Sequence, residues 1–451
     1  MARARTFAAL VASTLLATAC SGDSGMPGDA GPLDGGSDGG GIVGGVTPLG
    51  GPFVDVKAVV RADDGALYLA GFAEGRQEIT AEARRDRDFG LLRVTPDGAL
   101  DTSFGEDGLA RVDFGGPIDV FPSGADDGAY DLALVPDGIV VVGLVGAFRA
   151  PHTGMARLDL DGNLDASFGD GGLATRDWGR DSFGTDVTVA GDGSLFVGAT
   201  YDNGGERTQD VAMLRFASDG TLDAGYGRGD DAPGVVLHRG REDEAIDVHA
   251  IDGARWVLGG PFFRVTRILP SGDQDPDFGD AGWFELDDGV ESFGYAMAAT
   301  PGGGALIVGV REAPEGNRGI FRFVRLDASG RLDAAFGVVD VDPEIDMGLL
   351  PASIGAARGL VLDDAGGFLV YADATFTPGL FRFDASGAPD PSWGEDGTVL
   401  LEGAGVLPLA FSQTGRPTAH HMVRVNDRVV VADSLIPTEG DPFVWVDEYA
   451  L

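Results

Sequence analysis

The sequence has one cysteine, Cys20, and one lysine, Lys57, in 451 residues. A single thiol excludes a disulfide within the chain and any zinc site built on paired cysteines. Histidine is nearly as scarce, with five residues: His152, His238, His249, His420 and His421. Only the last two are adjacent, and neighbours on a strand point to opposite faces, which makes them a poor chelating pair. The expectation for them is one core and one surface histidine. No Gly-x-Ser-x-Gly elbow stands between a strand and a helix pattern, so nothing local supports a Ser-His-Asp site. Basic charge is also short, with 32 Lys and Arg against 72 Asp and Glu and a net charge of −40. Such a surface repels nucleic acid and anionic lipid. Its acidity serves solubility and attracts divalent cations weakly. The preference for arginine over lysine reads as genome composition rather than guanidinium chemistry.

What is abundant is glycine, 74 residues, with 24 prolines. That composition favours many turns, short strands and little continuous helix. The N-terminus stands apart. Arg3 and Arg5 precede an apolar stretch from Phe7 to Ala19, which has the layout of an export leader and is too short to span a bilayer. It ends in Leu16-Ala17-Thr18-Ala19-Cys20. This string resembles the lipobox of bacterial lipoproteins, and the resemblance implies lipidation of Cys20. Ser21 in the next position, by the same resemblance, points to the outer membrane. Residues 21 to 41 hold almost nothing to bury and read as an acidic, disordered tether reaching roughly 25 Å. The expected organisation is therefore a signal peptide over 1–19, a tether over 20–41 and a folded domain over 42–451.

Within that domain one pattern recurs six times with fixed spacing: arginine, glycine five residues on, aspartate three after that, an aromatic three later, then glycine. The aspartates lie eight residues after their arginines, as in Arg93 with Asp101 and Phe104, Arg157 with Asp165 and Phe168, and Arg215 with Asp223 and Tyr226. The other copies are Arg267, Asp275 and Phe278; Arg325, Asp333 and Phe336; Arg382, Asp390 and Trp393. The arginine falls at the end of a short β run and the first glycine in a tight turn needing positive φ. Two roles are open to the aspartate, an ion pair with the arginine or an Asx-type cap on the following turn, and they are compatible. The aromatic is expected to pack between neighbouring units. If the pair is fully buried, removing Asp165 costs up to about 3–5 kcal/mol, more than replacing Arg157 with Met.

Hairpins alternate with this pattern, near residues 54–72, 129–146, 184–200, 244–260, 295–310, 357–372 and 420–433. Each hairpin, arginine strand and further β run gives four strands per period of about 58 residues, the size of a propeller blade. The fold class expected is therefore all-β, a β-propeller of seven four-stranded blades. After the last hairpin only one further run, Phe443 to Val446, remains, so Gly41 to Val46 is expected to supply the missing strand and close the ring.

The string Gly-x-Leu-Asp-x-Ser-Phe-Gly at Gly98–Gly105 and Gly162–Gly169 resembles the delta-60 repeat of bacterial exported proteins. Copies at Gly272 and Gly387 lack the leucine, and Tyr226 and Trp393 replace phenylalanine. The resemblance implies a propeller-like fold and no particular activity.

Propellers gather ligand sites from loops of several blades, so chemistry there leaves no contiguous motif. One metal possibility is local: Asp159, Asp161, Asn163 and Asp165 alternate around Gly162 like a calcium loop without its bidentate glutamate. Otherwise no cofactor is called for, and a soluble monomer is expected once the leader is removed. Polar loops at Ala73–Arg87, Tyr201–Gln209 and Arg311–Arg318 are candidate partner contacts or plain solvated tips. The function expected is a tethered, non-catalytic propeller binding a protein or glycan; the alternative is a propeller hydrolase or lyase acting on polysaccharide. An enzyme should concentrate buried, unpaired carboxylates at one channel mouth. A scaffold should show an exposed apolar or aromatic patch.

Overall fold

The computed structural model describes residues 53–74, 87–115, 127–146, 151–179, 181–202, 209–227, 235–238, 245–259, 262–314, 318–343, 353–374, 377–401, 406–408, 420–437 and 443–451. Among them the regular structure is all strand, arranged as seven four-stranded antiparallel sheets. In blades 1 to 6 the strands follow chain order from the inner edge outwards. The inner strands are Phe53–Arg61, Gly128–Val135, Ser182–Val189, Ala245–Ile251, Ser292–Ala299 and Ile354–Leu362. The seven expected hairpins all appear, in blades 1 to 6 as the first two strands of the blade.

Sequence explains the stacking. Second strands such as Leu67–Glu74 and Gly138–Val145 read as nearly unbroken apolar runs because both of their faces are covered by other blades. The hydrophobic core is accordingly divided into clusters between blades. One joins Tyr68 and Phe89 of blade 1 to Leu132 and Val141 of blade 2; another joins Val142 and Met155 to Val187 and Val197 of blade 3. The ring closes on itself, since Val59 and Leu69 of blade 1 share a cluster with Val430, Ala432 and Val444 of blade 7.

Blade 7 departs from the others. Its long strand Arg428–Pro437 carries Phe443–Ala450 along one edge, and on its other edge lie two short pieces, Met422–Val425 and Val406–Pro408. Its inner edge is thus discontinuous, and His420 and His421 immediately precede the first of those pieces. Val59 N–H donates to the His420 carbonyl at 2.9 Å, and His421 N–H donates to the Arg358 carbonyl at 3.1 Å, which pins this segment between blades 1 and 6. Cys20, the tether and the strand expected at Gly41–Val46 lie outside the described residues, as do the tips of the three polar loops.

Candidate functional site at the channel axis

The recurring arginines and aspartates meet in all six copies. Arg157–Asp165 is 3.2 Å, Arg215–Asp223 3.6 Å, Arg267–Asp275 2.8 Å and Arg325–Asp333 2.7 Å; Arg93 also pairs with Asp101. Arg382 is the loosest at 4.0 Å from Asp390, because it turns to Asp363 instead. Each of these aspartates also accepts the backbone N–H two residues on, at 2.8–3.0 Å, from Ser103, Ser167, Gly225, Asp277, Ala335 and Ser392. Both roles therefore hold together.

The aromatics sit between blades. The N–H of the glycine after Phe104 donates to the Asp161 carbonyl of the next blade at 2.8 Å, and Gly169 repeats this to Asp219 at 2.7 Å. Gly162, at φ +88°, lies so close to the Phe104 ring that a Cβ would stand 3.1 Å from it. Asp159, Asp161, Asn163 and Asp165 follow one another through the turn around Gly162. Asp159 Oδ1 accepts from the backbone of Asp161 and Asn163 at 3.0 and 2.8 Å, and Asp165 Oδ1 is taken by Ser167.

Arg93 is one residue from the end of its strand, whereas Asp131 and Asp186 lie near the middle of theirs. The third strand of a blade runs in the same direction as the first. The repeat therefore occupies one end of the propeller, and a second constellation lies deeper, about midway along the inner strands. In blades 2, 3 and 4 the inner strand carries an aspartate followed by an aliphatic residue: Asp131-Leu132, Asp186-Val187 and Asp247-Val248. Each hands one oxygen to the next blade. Asp131 Oδ2 accepts from Val187 N at 2.7 Å, Asp186 Oδ2 from Val248 N at 3.1 Å, and Asp247 Oδ2 from Met297 N at 2.6 Å. Blade 1 has the equivalent Asp55-Val56 and pairs Asp55 with Lys57 at 2.9 Å. This recurrence was readable in the sequence, within the hairpins, but its meaning depends on closing the ring.

Two imidazoles complete the cluster. His249 Nε2 lies 3.2 Å from Asp247 Oδ1, and His420 of blade 7 places Nε2 3.1 Å from Asp186 Oδ2 and Nδ1 3.9 Å from Asp131 Oδ1. Blades 7 and 3 are not neighbours in a seven-membered ring, so their side chains meet only at the axis. The expectation of a surface histidine is corrected here: His421 is core, and His420, held at its carbonyl by blade 1, points into the channel at 19% exposure. The carboxylates are deep, with Asp186 only 1% exposed, while His249 keeps 36% of its side chain open.

Burial pushes the Asp131 carboxyl up to about 7, the His420 charge working against that and the Asp186 charge with it. Burial opposes charge on His420 as well, but Asp131, Asp186 and Asp247 outweigh it and hold the imidazole up to about 10. His249 is raised too: Asp247 more than offsets its burial. Asp247 moves the opposite way, its burial outweighed by His249.

The opposite side of the ring is paired off. Arg358 grips Asp373 through two hydrogen bonds of 3.0 and 3.1 Å, and Asp433 accepts from Tyr371 Oη at 2.6 Å. His421 sits beside Asp433 and is kept neutral by burial and by the charges of Arg358 and Lys57.

Three segments, residues 85–104, 136–168 and 190–226, match the family model described as "Domain of unknown function (DUF5122) beta-propeller". No curated protein matches the chain. Among solved structures, it resembles the polysaccharide lyase Uly1, with TM-score 0.50, 10% identity and coverage of 88% of this chain and 90% of the lyase. A protein of unknown function from Dyadobacter fermentans gives 0.43, 11%, 92% and 99%. The α-L-arabinofuranosidase Arb93A from Fusarium graminearum gives 0.44, 8%, 88% and 93%. At 10% identity the likeness to the lyase shows the fold alone, and the fold of this chain is a seven-bladed β-propeller.

Proposed function

We propose that the protein is an exported, lipid-tethered propeller enzyme that acts on polysaccharide by acid–base chemistry at the axis of its channel. The observation that supports this is His249, an accessible imidazole backed at 3.2 Å by the buried carboxylate of Asp247. A buried carboxylate that engages one ring nitrogen fixes the tautomer and leaves the other nitrogen to give or take a proton. One buried carboxylate oxygen of this cluster, Asp186 Oδ1, has no hydrogen-bond partner among the described residues. The exposed large apolar side chains among the described residues are only Leu160, Leu164 and Leu332. The balance is that of an enzyme rather than a sticky scaffold. The net charge of −40 favours a neutral glycan over a polyanionic one. Lipidation at Cys20 would keep the domain at the outer membrane as a monomer, with no role for nucleic acid.

A second reading, a propeller that binds a glycan or protein without turnover, is favoured by the interblade work of the same carboxylates. Asp131, Asp186 and Asp247 each support the neighbouring blade and are too deep to attack a sugar themselves. The two readings separate in a reducing-end assay of the full chain against neutral polysaccharides. Turnover falling by about 100-fold in His249→Ala supports the enzyme. Saturable glycan binding without product, unchanged in that variant, overturns it in favour of the binding protein.

A further inference from the structure

We infer that Asp131, Asp186 and His420 form a binding site for one divalent first-row transition ion, Zn²⁺ or Mn²⁺, which ties blades 2, 3 and 7 together at the axis. One ligand atom from each residue lies within 4.8 Å of the other two. Within that limit, small side-chain rotations bring the three atoms to metal–ligand distances of about 2.0–2.2 Å.

Two atoms point to a missing partner. Asp186 Oδ1 is a carboxylate oxygen on a side chain 1% exposed, and it has no hydrogen-bond partner among the described residues. His420 Nε2, although 3.1 Å from Asp186 Oδ2, is not aligned to donate to it and is likewise unpartnered. A buried anionic oxygen left without a donor is costly, and a cation removes that cost. The carboxylates are also held in advance. Asp131 and Asp186 each commit their Oδ2 to a backbone amide of the next blade, which fixes their direction as outer hydrogen bonds fix metal ligands. His420 is fixed at its backbone by Val59.

The donor set selects the ion. Calcium takes six to eight oxygens and magnesium keeps its waters, whereas one imidazole with two carboxylates suits the borderline first-row ions. Three protein ligands leave further positions open toward the channel, where a water or a ligand hydroxyl would bind. The inference does not depend on turnover: the ion is held whether the protein cleaves, or merely binds, what enters the channel.

The test is metal retention by the full chain at neutral pH, read by elemental analysis after loading with Zn²⁺ or Mn²⁺ and desalting, together with calorimetric titration. We expect one equivalent of ion per chain in the wild type and binding at least about 100-fold weaker in His420→Gln and Asp131→Asn, with His152→Gln as an unaffected control. EDTA should lower the thermal midpoint of the wild type and leave that of His420→Gln unchanged. If the Asp131 variant fails to fold, the wild type loaded with Co²⁺ decides alone: visible bands of a site with imidazole ligation support the inference, and the spectrum of the hydrated ion overturns it. Folded wild type that retains no ion, or folded His420→Gln that binds as tightly, also overturns it, leaving His420 as an imidazolium paired with two carboxylates.

Discussion

Asp165 lets the two jobs of the repeat aspartate be weighed against each other. Its Oδ2 faces Arg157 Nε at 3.2 Å, while its Oδ1 accepts Ser167 N at 3.0 Å and Ser167 Oγ at 2.6 Å. Arg157 and Asp165 are 18% and 26% exposed, so the pair is partly solvated and its share is about 1 kcal/mol or less. The two turn hydrogen bonds contribute about 1 kcal/mol each. Asp165→Asn keeps an oxygen for Ser167 and loses only the charge, so it should cost about 1 kcal/mol. Asp165→Ala loses both jobs and should cost about 2–3 kcal/mol. Arg157→Met should fall at or below the asparagine variant. The ranking agrees with what depresses the Asp165 pKa: the Ser167 hydroxyl first, the Ser167 amide second, and Arg157 after both. A depressed carboxyl stabilises above its unfolded value near 4 and stops doing so as pH falls through its folded value, so the alanine penalty should shrink in acid. Urea midpoints followed by tryptophan fluorescence, compared at a common slope, give the three numbers. Equal losses in the asparagine and alanine variants, or a larger loss in Arg157→Met, would refute the view that the turn outweighs the ion pair.

Asp127, buried between blades 1 and 2 with Phe114 N at 3.1 Å and Gly146 N at 2.8 Å, has its carboxyl pushed up to about 7 by burial, with Asp113 and Asp88 adding to it. The folded state then holds a proton that the unfolded chain releases near pH 4, so stability should fall as pH rises from about 4 to 7 and level off above. Asp127→Asn should be the more stable protein at pH 8 and the less stable at pH 4.5, and denaturation curves that show no reversal would refute the assignment. Phe168, fully buried against the turn glycine Gly220 of the next blade, should cost about 3–5 kcal/mol as alanine, measured by the same urea midpoints. Cys20→Ser should move the protein from the membrane to the soluble fraction of cells, and unchanged fractionation would exclude the lipid anchor.

The parts of this molecule that repeat were legible, and the parts that occur once were not. Six copies of Arg-x4-Gly-x2-Asp-x2-aromatic-Gly report on local physics, a strand end and a capped turn, and local physics has the same meaning wherever the string occurs. The hairpins are likewise local, which is why seven of them, and hence seven blades, follow from the chain alone. The inner-strand aspartates were visible as the strings Asp55-Val56, Asp131-Leu132, Asp186-Val187 and Asp247-Val248. Their partners were not, because each partner is a backbone amide in the next blade and a backbone amide leaves no mark in a sequence. His420 is the extreme case. Strand alternation correctly sends it and His421 to opposite sides, but alternation says nothing about what lies on each side. Here one side is the core beside Asp433, and the other is a closed axis where residues of blades 2 and 3 converge. Ring closure thus does two things at once. It covers the facing apolar surfaces of the first and last blades, and it brings side chains from opposite sides of the ring together at the axis. The irregular inner edge of blade 7 fits that position: where the ring is joined, the strand repeat breaks, and the residues freed at the break are the ones that reach the axis.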